Sequence, residues 1–143
     1  MELNRKDRAV ELHKKGYNCA QAVACNYCDL FDIDEELVFR MTEGFGFGCG
    51  MKEICGAISG AIAVIGMNNS SGNVERGVTK KSTYDQTSAL GKKFEEKNGS
   101  MICRELKGGP DKAPLRSCDG CIEDACVLVE EYLKEAYHGL SEK

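Results

Sequence analysis

The chain has 143 residues, with 19 basic against 23 acidic side chains and a net charge of −4. That length suits one domain with a core that needs no disulfide staples. The acidic balance, with no long basic run, excludes an electrostatic case for nucleic acid or an anionic membrane surface.

The opening "MELNRKDRAVELHKKG" is charged and helix-periodic. It carries neither an apolar signal core nor a twin-arginine motif, so a cytoplasmic protein is expected. A first helix is predicted from Leu3 to Lys15, stopped by Gly16. Asn18 with Gln21 three residues on forms a capping signature for a second helix, Cys19 to about Leu30. Asp34, Glu35 and Glu36 open a third, ending near Glu43. The fourth, Met51 to Met67, is apolar on all sides and is expected at the buried centre. Its uncharged stretch from Ile54 is shorter than the roughly 20 residues a bilayer span needs.

Asn68 to Lys81 reads as a polar loop. Ser82 caps a predicted fifth helix to about Lys97, closed by Asn98-Gly99, and Ser100 caps a short sixth, Met101 to Lys107. Both prolines lie in the loop "GGPDKAPLRS". The last helix, about Asp119 to Tyr137, carries the apolar stripe Ile122, Ala125, Cys126, Val129, Leu133 and Ala136 at helical spacing. Strand signals are absent. The expectation is a single all-α domain over residues 1–143, a compact bundle of about five to seven helices.

"GFGFGCGMKEICGAISGA", Gly44 to Ala61, poses a choice between a phosphate loop and a turn built around sulfur. From Gly44, Gly46 or Gly48 a G-x-G-x-x-G pattern would need its third glycine at Cys49, Met51 or Glu53, and Lys52 is followed by Glu53 rather than Ser or Thr. Neither nucleotide motif is met. Gly56 and Gly60, with Ser59, Ala61 and Ala63, give the central helix a small-residue surface for close packing, within the chain or across a homodimer. The glycines before it free backbone N–H groups to turn toward a sulfur.

Nine cysteines in a chain without export signals point to metal or redox chemistry rather than a disulfide framework. Cys19, Cys55, Cys103 and Cys121 fall at or near predicted helix starts. There the macrodipole and unpaired N–H groups favour thiolate, the form that ligates metal or attacks a disulfide. Cys25 and Cys28 ("CNYC") fall mid-helix, and Cys126 lies in the last apolar stripe, so these three read as core thiols. "CDGC", Cys118 to Cys121, fits either a redox pair or half a zinc site. His13 and His138 match no ligand spacing and read as solvated side chains.

"NCAQAV", the glycine turn running into "ICGAISGAIAVIG", "CREL" and a final cysteine leading into "LVEEYL" together resemble the C_GCAxxG_C_C family of redox-active proteins. The resemblance covers nearly the whole chain, and Cys55-Gly56-Ala57-Ile58-Ser59-Gly60 is its most specific element. It implies four family cysteines at Cys19, Cys55, Cys103 and Cys121, with Cys126 competing for the fourth place. It also implies an association with oxidoreductases as redox partners. Cys49 stands where relatives carry glycine.

Four thiolates on four helices could ligate an iron–sulfur cluster for electron transfer, with the backbone of Gly48, Gly50 and Gly56 around it. Two of the four could instead cycle between dithiol and disulfide without metal. A structural zinc site with four cysteines is a further alternative, in which the protein would bind a partner.

Overall fold

The computed structural model describes residues 4–137. Its α-helices are α1 (Arg5–Lys14), α2 (Cys19–Ala24), α3 (Glu35–Thr42), α4 (Gly56–Asn69), α5 (Lys80–Asn98), α6 (Cys103–Lys107) and α7 (Cys118–Ala136). Among the described residues β-structure is limited to two isolated bridges, and no helix is long and apolar enough to cross a membrane. The expected all-α bundle is the observed one.

The capping residues read from the sequence set several helix starts. Asn18 and Gln21 form a complete capping box, each side chain closing on the other's backbone N–H at 2.9 Å. The same two side chains reach further, Asn18 to the Glu43 carbonyl at 2.8 Å and Gln21 to the Phe39 carbonyl at 2.9 Å. One cap therefore also ties α2 to the end of α3. Asp34 accepts from the Leu37 N–H to start α3, and Gly99, with φ 83°, closes α5 in the left-handed conformation.

Helix α4 is the centre of the packing: no residue from Gly56 to Asn69 is exposed. It lies against α2, α5 and α7, while α1 packs on α7. Gly60 sets the α2–α4 distance. A Cβ there would meet the Ala20 carbonyl oxygen at 2.5 Å and the Val23 Cβ at 3.0 Å. The small-residue face thus packs within the chain. Ile58, Val64 and Ile65 from α4 join Val23, Phe94, Ile122 and Val129 in the core, each contributing about 1.5–3 kcal/mol by burial.

Several boundaries differ from expectation, for local reasons. The Leu3 start lies outside the described residues, as does His138. Helix α2 gives way at Cys25 to a 3₁₀ segment, Cys25–Phe31. There the Arg5 guanidinium donates to the Asn26 carbonyl and grips Asp29 at 2.7 and 2.9 Å, taking an acceptor a continuing α-helix would use. Helix α4 begins at Gly56 rather than Met51, because Phe47, Gly48, Cys49, Gly50 and Lys52 all adopt positive φ and form a tight left-handed turn. Helix α5 starts two residues before Ser82, whose hydroxyl donates to the Thr79 carbonyl at 3.0 Å. Ser100 accepts from the Ile102 N–H at 3.0 Å in a local turn, so α6 starts only at Cys103. Helix α7 starts one residue earlier than expected, with Ser117 accepting from the Gly120 N–H at 3.0 Å.

The two glycines of α4 test this packing. Gly60→Ala should cost about 1–3 kcal/mol in urea denaturation by forcing α2 away. Gly66→Ala, where nothing lies within 4 Å of the added methyl, should instead gain up to about 1 kcal/mol of helix stability. Equal midpoints for the two variants would contradict the close α2–α4 contact.

Candidate functional site: a cysteine-lined cavity

The route to the site begins at the Ile54–Ile102 antiparallel bridge. Cys55 N–H donates to the Met101 carbonyl at 2.8 Å and Cys103 N–H to the Glu53 carbonyl at 2.5 Å. Glu53 is also ion-paired with Arg104. Side chains alternate across extended backbone, so Cys55 and Cys103, one residue past each bridged isoleucine, are diagonal neighbours on one side. Gly48 fits beneath them only because it lacks a side chain: a Cβ there would strike the Glu53 backbone nitrogen and lie 2.9 Å from the Cys103 Cβ.

Cys19, Cys55, Cys103, Cys118 and Cys121 line one cavity of about 200 Å³. Cys19 opens α2, Cys55 is the N-cap of α4, Cys103 opens α6, and Cys118 and Cys121 occupy the first turn of α7. Gly56 is part of the wall. A Cβ on it would land on the Cys19 sulfur and 3.1 Å from the Phe45 carbonyl oxygen. The Cys55-Gly56 step therefore brings the Cys19 thiol against the start of α4.

The cavity thiols differ in acidity. Cys55 is pulled down to about 7, first by a hydrogen bond from the Cys121 thiol and against its burial. The Ala57 and Ile58 N–H groups of the first α4 turn and the Lys107 charge pull the same way. These are helix-start donors with no partner inside the helix. Cys121 is pushed up in turn, by its hydrogen bond to Cys55 and by burial. Burial raises Cys19, offset in part by N–H donation from Phe47 and Ala20. Burial also raises Cys103, with Lys107 opposing.

Other side chains complete the wall. Phe47 closes one side, with the Lys107 and Lys52 ammonium groups 5.0 and 5.5 Å from its ring centre. Arg116 lines another and is anchored by buried Asp124 at 3.1 and 3.3 Å, which Lys97 also holds at 2.9 Å. Burial opposes the Asp124 charge, yet the Arg116 and Lys97 hydrogen bonds hold its carboxyl below the usual range. Gly120, inside "CDGC", lies against this side chain: a Cβ would meet Arg116 Nε at 2.5 Å, so Arg116 would have to shift.

The four cysteines expected at helix starts are thus gathered at one cavity, and Cys121 rather than Cys126 faces it. Cys126 is fully buried and pushed up to about 11 by desolvation. Gly56 lines the cavity and Gly48 packs behind Cys103, whereas Gly50 is exposed and outside the lining. Cys49 sits outside it too, at φ 59°, where a glycine is the unstrained residue. His13 departs from its solvated reading: it lines the cavity, its Nδ1 2.7 Å from an Asp119 carboxylate oxygen. Sequence reasoning also missed Phe47, Lys107 and Arg116. Only Lys107 had a signal, lying one helical turn beyond Cys103. Among the described residues no three His, Cys, Asp or Glu side chains stand close enough together to hold a single metal ion.

A family model described as "Putative redox-active protein (C_GCAxxG_C_C)" matches residues 17–132, and the chain belongs to that family. Neither the curated proteins nor the solved structures searched gave a match.

The acidity of Cys55 is open to direct measurement. Its alkylation by iodoacetamide, followed by peptide mass spectrometry, should rise with pH through an inflection near 7 as thiolate forms. Cys121→Ala should move that inflection upward and cut the rate at neutral pH several-fold. An unchanged profile would show that the Cys121 thiol does not set it.

Proposed function

Starting from membership in this redox-active family, we propose that the cavity is a thiol redox centre in which Cys55 and Cys121 cycle between dithiol and disulfide. The observation that carries this reading is that two buried thiols from two helix starts, Cys55 and Cys121, line one cavity, with Cys55 pulled toward thiolate there. The Cys55 thiolate attacks a sulfur of a partner disulfide, forming a mixed disulfide and expelling one partner thiolate. Cys121 then attacks the Cys55 sulfur and expels the second, its proton passing to the leaving thiolate. The partner disulfide is reduced to one thiol and one thiolate, which takes from solvent the proton Cys55 gave up on ionising, while Cys55 and Cys121 are oxidised to one disulfide; the reverse sequence oxidises a partner dithiol. A thiolate with a pKa near ambient pH is the favourable attacker. The redox partner is an oxidoreductase that exchanges with this pair.

A second reading is favoured by the convergence of Cys19, Cys55, Cys103 and Cys121, from four separate segments, on one cavity. All four donors are sulfur, the ligand type an iron–sulfur cluster takes. These four side chains would hold such a cluster, which supplies one-electron transfer when bound. The N–H groups of Phe47, Ala57 and Ile58 already favour the thiolate forms of Cys19 and Cys55. Hydrogen bonds from such groups tune potential.

Mild oxidation of the metal-free protein followed by peptide mapping should find one dominant bond, Cys55 to Cys121. Scattered pairing, or none, contradicts the dithiol reading. Anaerobic purification with iron and labile-sulfide assays separates the two: colourless, iron-free protein is expected. Brown protein whose iron is lost in Cys55→Ser would establish the cluster instead.

A further inference from the structure

The chain carries a net charge of −4, yet the wall of the cysteine cavity has the opposite sign. Its fixed charges are the Lys107 ammonium and the Arg116 guanidinium, and no aspartate or glutamate belongs to the lining. The acids next to it in the sequence are already engaged. Glu53 pairs with Arg104, and Asp119 is held by His13, a carboxylate oxygen 2.7 Å from Nδ1. A cleft lined by one sign of charge concentrates ligands of the other.

Both cations keep charge to offer. Lys107 and Lys52 place their ammonium groups 5.0 and 5.5 Å from the centre of the Phe47 ring, and neither is ion-paired among the described residues. Arg116 meets Asp124 through Nε and Nη2, which leaves Nη1 unclaimed among the described residues. Asp124 is also matched by Lys97, so these three groups together are positive. Size narrows the occupant further. Cys55, Cys103 and Cys121 are 6%, 5% and 3% exposed, and the space they line is about 200 Å³. That is below the roughly 300–1,000 Å³ of pockets for drug-sized ligands and suits one arm of a small disulfide.

We propose that the cavity binds small anionic disulfides, compounds whose carboxylates lie a few bonds from the S–S bond, with a carboxylate at Lys107 and Arg116 and a sulfur toward Cys55. On the dithiol reading, from which this follows, the small disulfide is reduced here and the oxidoreductase partner returns the protein disulfide to the dithiol. The Cys55 thiolate attacks one sulfur of R–S–S–R, breaking that bond and expelling R–S⁻. Cys121 then displaces the second arm and gives it the thiol proton as the Cys55–Cys121 bond forms. One R–SH and one R–S⁻ leave, and the latter takes from solvent the proton that Cys55 released on ionising. Two cysteines are oxidised and one small disulfide is reduced.

The test treats the reduced full chain at neutral pH with three small disulfides of different charge: anionic dithiodipropionate, neutral hydroxyethyl disulfide and cationic cystamine. Loss of the free Cys55 thiol is followed by acid quenching, alkylation in denaturant and peptide mass spectrometry. Each rate is divided by that of the same reagent on the urea-unfolded chain, which removes the reagents' intrinsic differences. The normalised rates should fall in the order anionic, neutral, cationic, with about tenfold between the extremes. A change in Cys55 acidity moves all three together, so the spread reports the charge of the wall. Lys107→Gln should narrow it several-fold, and salt at about 1 M, which screens charges beyond about 3 Å, should nearly abolish it. Lys134→Gln makes the same change in net charge on α7 about 20 Å along the axis from Cys121, and should leave the spread unchanged. Equal rates, a cationic preference, or a spread that survives Lys107→Gln or is lost in Lys134→Gln would overturn the proposal. The dithiol reading would then still stand wherever the Cys55–Cys121 bond forms. If none of the three reagents produces that bond, the dithiol reading fails and the substrate assignment falls with it.

Discussion

Two backbone hydrogen bonds flanking Ile54 and Ile102 are the constraint on which the centre depends. They join segments almost fifty residues apart and put Cys55 and Cys103 on one side of the same bridge. Because the bridge is a single pair, both chains leave it at once into helices, α4 and α6. Each cysteine is therefore both a bridge neighbour and a helix start. The left-handed turn at Phe47 to Lys52 delivers the chain to this bridge, and Gly48 leaves room beneath Cys103. Gly56 lets Cys19 come in from α2, and the first turn of α7 supplies Cys121.

Helix starts alone do not make these thiols acidic. Cys19, Cys55, Cys103 and Cys121 all lie within the first turn or cap of a helix, yet only Cys55 is shifted down. Burial disfavours the charged form in each case. At Cys55 three things overcome it: the hydrogen bond from Cys121, two N–H groups of the α4 turn, and the Lys107 charge. Cys103 shares the Lys107 charge but has no thiol donor, and burial prevails. On the proposed dithiol reading this divides the roles, with Cys55 as attacker and Cys121 as resolver.

Much of this was legible in the sequence where local chemistry decides structure. Asn18 with Gln21, Asp34, and the Asn98-Gly99 stop marked real boundaries because side-chain capping and left-handed glycine are short-range effects. The buried α4 followed from its composition. Four of the cavity's five cysteines were legible as helix starts, though not as neighbours, since the bridge that joins Cys55 and Cys103 is one residue pair with no periodic signal. The 3₁₀ break at Cys25 depends on Arg5, twenty residues earlier, donating to the Asn26 carbonyl. A window-based reading of "CNYC" could not contain it. His13 was misread for a similar reason: its place at the cavity depends on α1 packing against α7, where Asp119 lies.

The central claim, that Cys55 attacks and Cys121 resolves, is tested most directly by trapping. In Cys121→Ser the second step is blocked, so treatment with a small disulfide at neutral pH should leave a stable mixed disulfide on Cys55, located by peptide mass spectrometry. Wild type should carry little adduct and a Cys55–Cys121 bond in its place. An adduct that accumulates on another cavity cysteine, or none on Cys55, would contradict the account.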